Sequence, residues 1–172
     1  GTFHGNRAAQ TGGAVSAGDD TATSQITNAT FTNNSAGGHG GAVRTLGLLT
    51  VTGSTFRDDS AGLSGGAIAA DDTITITSSL FQDDTAAQAG GAIISVSASV
   101  LSQGSTYRAN RANTGGGAIS LHSDDNITLG KLRSEKSGGT LTIDAGAATA
   151  GIGEEGIGGS GTSGNGSLHH VK

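Results

Sequence analysis

Apolar and polar residues alternate along short stretches of this chain, and glycine, asparagine or serine ends each stretch. In Thr73-Ile-Thr-Ile-Thr77 every second residue is isoleucine, with threonine between. A period of two with β-branched content is the mark of a strand with one buried face. Leu49, Val51 and Phe56 share the phase of Ile74, Ile76 and Phe81. In the first copy Ser24 and Ile26 take the two earlier places. The pattern predicts strands and turns without helix.

The alternation recurs with a fixed frame. The aromatics are Phe3, Phe31, Phe56, Phe81 and Tyr107, spaced by 28, 25, 25 and 26 residues. Three residues after each comes a short amide or acid: Asn6, Asn34, Asp59, Asp84 and Asn110. Five residues after each comes alanine: Ala8, Ala36, Ala61, Ala86 and Ala112. A Gly-Gly-Ala-aliphatic element follows, at Gly12–Val15, Gly40–Val43, Gly65–Ile68, Gly90–Ile93 and Gly116–Ile119. A unit of about 25 residues cannot bury an apolar face alone, and it can when stacked on its neighbours. The predicted fold is therefore all-β: a right-handed parallel β-helix, a solenoid with coils of about 25 residues. The rings Phe3, Phe31, Phe56, Phe81 and Tyr107 are expected to form an internal core ladder. The column Asn6, Asn34, Asp59, Asp84 and Asn110 is expected at a turn, bonding its local backbone. The Gly-Gly pairs are expected at a corner needing backbone angles closed to other residues.

Residues 1–125 read as regular coils. From about Asn126 the aromatic and Gly-Gly-Ala columns stop, although Asn126–Leu129 and Gly139–Asp144 still read as strands. Residues 126–172 are expected to continue as looser, Gly-rich coils. The sequence starts at Gly1, and no capping element is evident at either end, so it reads as a piece of a larger protein.

Composition sharpens this picture. The 172 residues include 32 Gly, no Pro, Cys, Met or Trp, and only four Phe and one Tyr. A globular core would be thin, whereas a narrow tube needs one ring and a few small apolar residues per layer. The absence of cysteine means that no disulfide staples the fold. Net charge is -5, with no run of Lys or Arg, which argues against nucleic acid. No apolar run reaches membrane-spanning length, so no membrane insertion is expected in this segment.

Candidate chemistry is sparse. Acidic pairs recur at Asp19-Asp20, Asp58-Asp59, Asp71-Asp72, Asp83-Asp84 and Asp124-Asp125. Asp58, Asp59, Asp83 and Asp84 occupy equivalent places in adjacent coils and form a candidate weak cation site, with Ca²⁺ as the fitting hard ion. The plainer alternative is a set of solvated turns, and no Asp-x-Asp-x-Asp-Gly loop is present. Apart from that ion no cofactor is expected. Arg57 and Arg108 share a column near these acids, as a polysaccharide lyase or hydrolase would require, but Gln82 interrupts it. No catalytic residue is assigned. His4, His39 and His122 are expected at the surface, and His169-His170 lacks a third ligand at useful spacing.

The pairing of Phe-x-x-Asn with Gly-Gly-Ala-aliphatic resembles the repeats of chlamydial polymorphic outer-membrane proteins and related large bacterial adhesins. Phe3–Asn6 and Phe31–Asn34 match in full. Phe56–Asp59 and Phe81–Asp84 put Asp for Asn, and Tyr107–Asn110 puts Tyr for Phe. The likeness covers residues 3 to about 119. Beyond it, Leu141-Thr-Ile-Asp-Ala-Gly146 looks like passengers of the filamentous-haemagglutinin type. The resemblance implies a β-helical autotransporter passenger, exported to the bacterial outer surface, with an adhesive role. Its partners would be a glycan or protein on a host or neighbouring cell, or further copies bound end to end.

The reading is thus a structural and adhesive rod segment of an extracellular protein, not an enzyme. A self-assembling filament subunit is the first alternative, and a polysaccharide-degrading enzyme on the same fold is the second. Ice binding, suggested by Thr-rich strands, ranks last because a regular Thr-x-Thr array over many coils is missing.

Overall fold

The computed structural model describes residues 1–97, 99–121 and 128–129, with Leu121, Thr128 and Leu129 given by backbone alone. Among these residues every regular element is a strand and every strand pairing is parallel. The strands build four walls of five, each wall taking one strand from each coil. The aromatic wall holds Thr2–His4, Thr30–Thr32, Thr55–Arg57, Leu80–Gln82 and Thr106–Arg108. The alanine wall holds Arg7–Ala8, Ser35–Ala36, Ser60–Ala61, Thr85–Ala86 and Arg111–Ala112. The aliphatic wall holds Val15–Ala17, Val43–Thr45, Ile68–Ala70, Ile93–Ser95 and Ile119–Leu121. The alternating wall holds Thr23–Thr27, Leu48–Thr52, Ile74–Thr77, Val100–Gln103 and Thr128–Leu129. The chain is a parallel β-solenoid of about five turns, as the repeat predicts. Residues 130–172, including the strand expected at Gly139–Asp144, lie outside the described residues.

Register follows the sequence columns residue for residue. Phe31 pairs with Phe3 and Phe56, Ala61 with Ala36 and Ala86, and Ile68 with Val43 and Ile93. A slip of one residue would turn every inward side chain to solvent, so burial fixes this register. Phe31, Phe56, Phe81, Leu49, Val51, Ile68, Ile74, Ile76 and Ile93 are buried almost completely. Ala42, Ala67 and Ala92 close the same core at the glycine corner. The outward Thr50-x-Thr52 rank aligns with Thr75-x-Thr77, and Gln25 and Leu101 end it on either side.

Three of the four corners keep a constant length. Two residues join the aromatic to the alanine wall, six join the alanine to the aliphatic wall, and two lead from the alternating wall to the next aromatic strand. Each of these corners uses one left-handed residue per coil. In the first corner it is Gly5, Asn33, Asp58, Asp83 and Ala109 in turn. Asn and Asp tolerate that conformation because their short polar side chains can bond locally, whereas Ala has no such compensation. Ala109, at φ 52, is therefore the strained member of its column. Ala109→Gly is expected to raise stability by about 1 kcal/mol, read as a shift of the denaturation midpoint. A lowered midpoint would show that the corner carries no such strain.

The glycine corner divides its two glycines between two tasks. Gly12, Gly40, Gly65, Gly90 and Gly116 have positive φ. Gly13, Gly41, Gly66 and Gly91 do not, but a Cβ on any of them would run into the carbonyl oxygen of the corresponding glycine in the next coil. The expectation of unusual backbone angles thus holds for the first glycine only. The second is glycine because backbone stacks directly on backbone.

Candidate functional site

The five rings stand one above another inside the tube. Centroid separations run 4.6, 4.7, 4.8 and 5.1 Å, with planes tilted by no more than 7°. Parallel strands lie about 4.8 Å apart, so the backbone sets the ring spacing. Tyr107 continues the column with a hydroxyl, and the structure accommodates it. Its Oη lies 2.8 Å from Ser102 Oγ, and Ser102 takes the register position that Ile76 fills one coil earlier. Burial pushes the Tyr107 phenol well above its usual range, so it remains neutral.

The Asn/Asp column sits at the turn between the aromatic and alanine walls, and its three middle rungs are internal and not solvated, while Asn6 is exposed and Asn110 half-buried. Asn34, Asp59 and Asp84 have no exposed surface. The Asp59 carboxyl takes a bond from the nearby Arg57 backbone, as the sequence suggests for a turn, but the main partners of these side chains lie elsewhere. Each reaches the coil 25 to 28 residues away. Asn34 Oδ1 accepts from Asn6 N, Asp59 Oδ1 from Asn34 N, Asp84 Oδ1 from Asp59 N, and Asn110 Oδ1 from Asp84 N, at 2.7 to 3.1 Å. The left-handed residue before each ladder position turns the next side chain inward, and a strand ladder cannot satisfy the N–H freed at such a corner. A side-chain oxygen from the adjacent coil satisfies it instead.

A second ladder escapes the sequence reading. Ser54 Oγ accepts from Ala29 N, Ser79 Oγ from Ser54 N, and Ser105 Oγ from Ser79 N. Each hydroxyl in turn donates to a carbonyl two residues earlier, on Thr52, Thr77 and Gln103. The signal was present, since these serines all stand two residues before the aromatic.

The four acids of the candidate cation site are not brought together. Asp58 is exposed and Asp83 half-buried, both at left-handed corners, while Asp59 and Asp84 lie inside the tube. The backbone wall separates the two pairs, so the four carboxylates cannot converge on one ion. Among the described residues no group of three or more His, Cys, Asp or Glu side chains is placed to hold a metal. The same division keeps Asp59 and Asp84 from joining Arg57 or Arg108 in an outer groove. Arg57 instead donates to Gln82 at 3.3 Å along the outer face. His4 is exposed, whereas His39 is half-buried. His122, Asp124, Asp125, His169 and His170 lie outside the described residues.

Among the described residues, the fourth corner, between the aliphatic and alternating walls, holds all the variation in coil length. It spans residues 18–22, 46–47, 71–73 and 96–99 in successive coils. Its contents also differ. Asp19 Oδ1 takes bonds from the Thr21 hydroxyl and N–H, which hold its carboxyl below the usual range. Asp71 pairs with Arg44 at 2.6 Å, and Arg44 also bonds the Thr45 carbonyl. Val96 in the corner and Leu48, the first residue of the strand that follows it, expose 40% and 44% of their surface, unlike the buried aliphatics of the interior. A rigid scaffold with one variable edge is the arrangement in which loops carry recognition.

Residues 28–45 match the family model for the Chlamydia polymorphic membrane protein (Chlamydia_PMP) repeat. No curated protein and no solved structure matches the chain. The matched stretch contains Phe31–Asn34, whose ring enters the aromatic column and whose amide enters the Asn/Asp ladder, and Gly40–Val43, which forms a glycine corner. With that repeat set in a parallel solenoid of in-register coils, the chain fits a passenger of the polymorphic outer-membrane-protein type.

Proposed function

We propose that this chain is a structural and adhesive rod segment of a bacterial surface protein, working without catalysis or cofactor. Repeat type and fold suit a surface-exposed, adhesin-like passenger. The observation that carries the finer reading is the contrast between three corners of fixed length and one of variable length and composition. The interior ladders hold successive coils in stack. Coil length varies along this one edge, where Leu48, Val96 and the Arg44–Asp71 pair offer apolar and charged contacts. The partner is a glycan or protein on a host or neighbouring cell, met along this edge.

The 172-residue chain, coated on a surface, is expected to retain epithelial cells. Leu48→Ser with Val96→Ser is expected to reduce retention at least several-fold while the strand signal in circular dichroism stays unchanged. Equal retention by the variant would remove the variable edge from the reading. No retention by the parent chain would remove adhesion itself.

A further inference from the structure

The internal amide ladder contains two rungs that are not amides. In an asparagine rung the Oδ1 accepts a neighbouring N–H, and the Nδ2 is left to donate. Asn34 Nδ2 donates to the Phe3 carbonyl at 3.2 Å and to Asp59 Oδ1 at 2.9 Å. Asn110 Nδ2 donates to the Phe81 carbonyl at 3.1 Å. Where a rung meets its neighbours on that side, it meets acceptors. Asp59 and Asp84 stand between these asparagines in the same register, and their Oδ1 atoms accept as the amide oxygens do. Their Oδ2 atoms take the Nδ2 seats. Both Oδ2 atoms are fully buried and have no hydrogen-bond partner as bare oxygens.

A bare carboxylate oxygen cannot donate, so an ionised rung would set lone pairs against lone pairs in a dry interior. A carboxylic acid is different. Its Oδ2–H has the donor capacity that the seat demands and nearly the shape of an amide. We infer that Asp59 and Asp84 form a proton-binding site within the rod, each carboxyl held neutral in a seat built for asparagine, with Oδ2 carrying the hydrogen. Asp58 and Asp83 at the adjoining corner repel a further negative charge, and the two rungs repel each other when both ionise. Arg57 and Arg108 on the aromatic wall and Arg111 on the alanine wall all have exposed side chains. The alanine wall otherwise presents Ser60 and Thr85, and the rungs on either side are Asn34 and Asn110.

Burial is the main force on both groups. It raises Asp59 to about 7, against the opposing bonds from Asn34 and from the Arg57 backbone. It raises Asp84 to about 9, with the Asp59 N–H opposing and the charges of Asp59, Asp58 and Asp83 adding. In the unfolded chain both ionise near 3.8. Between those limits the folded rod holds protons that the unfolded chain has released, so raising the pH favours unfolding. The stabilising contribution is complete below 3.8 and is lost as pH rises through about 7 and then about 9. The rod is thus firmest in acid and loosens at its middle coils as the medium turns alkaline.

The test compares the full chain with the double variant Asp59→Asn, Asp84→Asn. The parent's denaturation midpoint is expected to fall steadily over that pH interval. The variant, with true amides in both seats, should lose most of this slope and be the more stable protein at alkaline pH. Infrared spectra of the parent at neutral pH should show a buried, protonated carboxyl band, absent from the variant. A variant with the parent's slope, a variant unable to fold, or a parent without that band would each overturn the inference.

Discussion

Gly66→Ala is expected to cost at least about 3 kcal/mol, enough to disrupt the central coils. The new methyl would meet the Gly91 carbonyl of the next coil and the Thr85 backbone, neither of which can rotate away. Backbone hydrogen bonds from Gly66 N to Gly90 O and from Gly41 N to Gly65 O hold the coils at that spacing on both sides. Relief would require opening these bonds along a whole corner. Gly5→Ala is the informative control. Gly5 has φ 65, yet a Cβ there would have no heavy atom within 4 Å. Only the left-handed conformation is penalised at Gly5, at about 1–2 kcal/mol. The two variants thus separate stacking from conformational strain. Denaturant titration followed by far-ultraviolet circular dichroism measures both. Equal losses would mean that the second glycine of the pair is not set by contact between coils.

The aromatic column is visible in the sequence because no aromatic stands anywhere else in the chain, and the glycine column because a Gly-Gly-Ala-aliphatic string recurs at one offset from each ring. A ring at constant phase and a Gly-Gly at constant offset leave few folds that fit them. The serine ladder is harder to see, because serine is common here and its role comes from position alone. The direction of the amide column is hidden for another reason. Asx residues at a turn usually bond their own backbone, and only the left-handed residue before them, Asn33, Asp58 or Asp83, sends the next side chain into the tube. That same residue explains why an Asp-Asp pair in sequence is not a pair in space. Asp58 and Asp59 lie on opposite sides of one backbone, so adjacency along the chain misleads about charge clustering. The variable edge is visible only once strand limits are known, since the 28-residue first spacing does not say which corner holds the extra residues.

Phe56→Ala should destabilise the rod by about 3–5 kcal/mol, and more than the same change at the first ring. Phe56 is wholly buried and lies between Phe31 at 4.7 Å and Phe81 at 4.8 Å. Removing its ring takes contacts from both neighbours at once. The gap cannot close, because the parallel ladders on either side fix the coil spacing, so the cavity term adds to the lost transfer energy. Phe3 has one ring neighbour at 4.6 Å and is only partly buried, so its removal leaves a smaller void. Position along the rod should therefore matter as much as residue type, as it does when each repeat touches only the next. A break at Phe56 also separates the coils before it from those after it. Two probes, one reporting on Tyr107 and one on overall strand content, should then unfold at different denaturant concentrations in Phe56→Ala and together in the parent. Equal losses at Phe3 and Phe56, or coincident transitions in Phe56→Ala, would show that the ring column is not what couples one coil to the next.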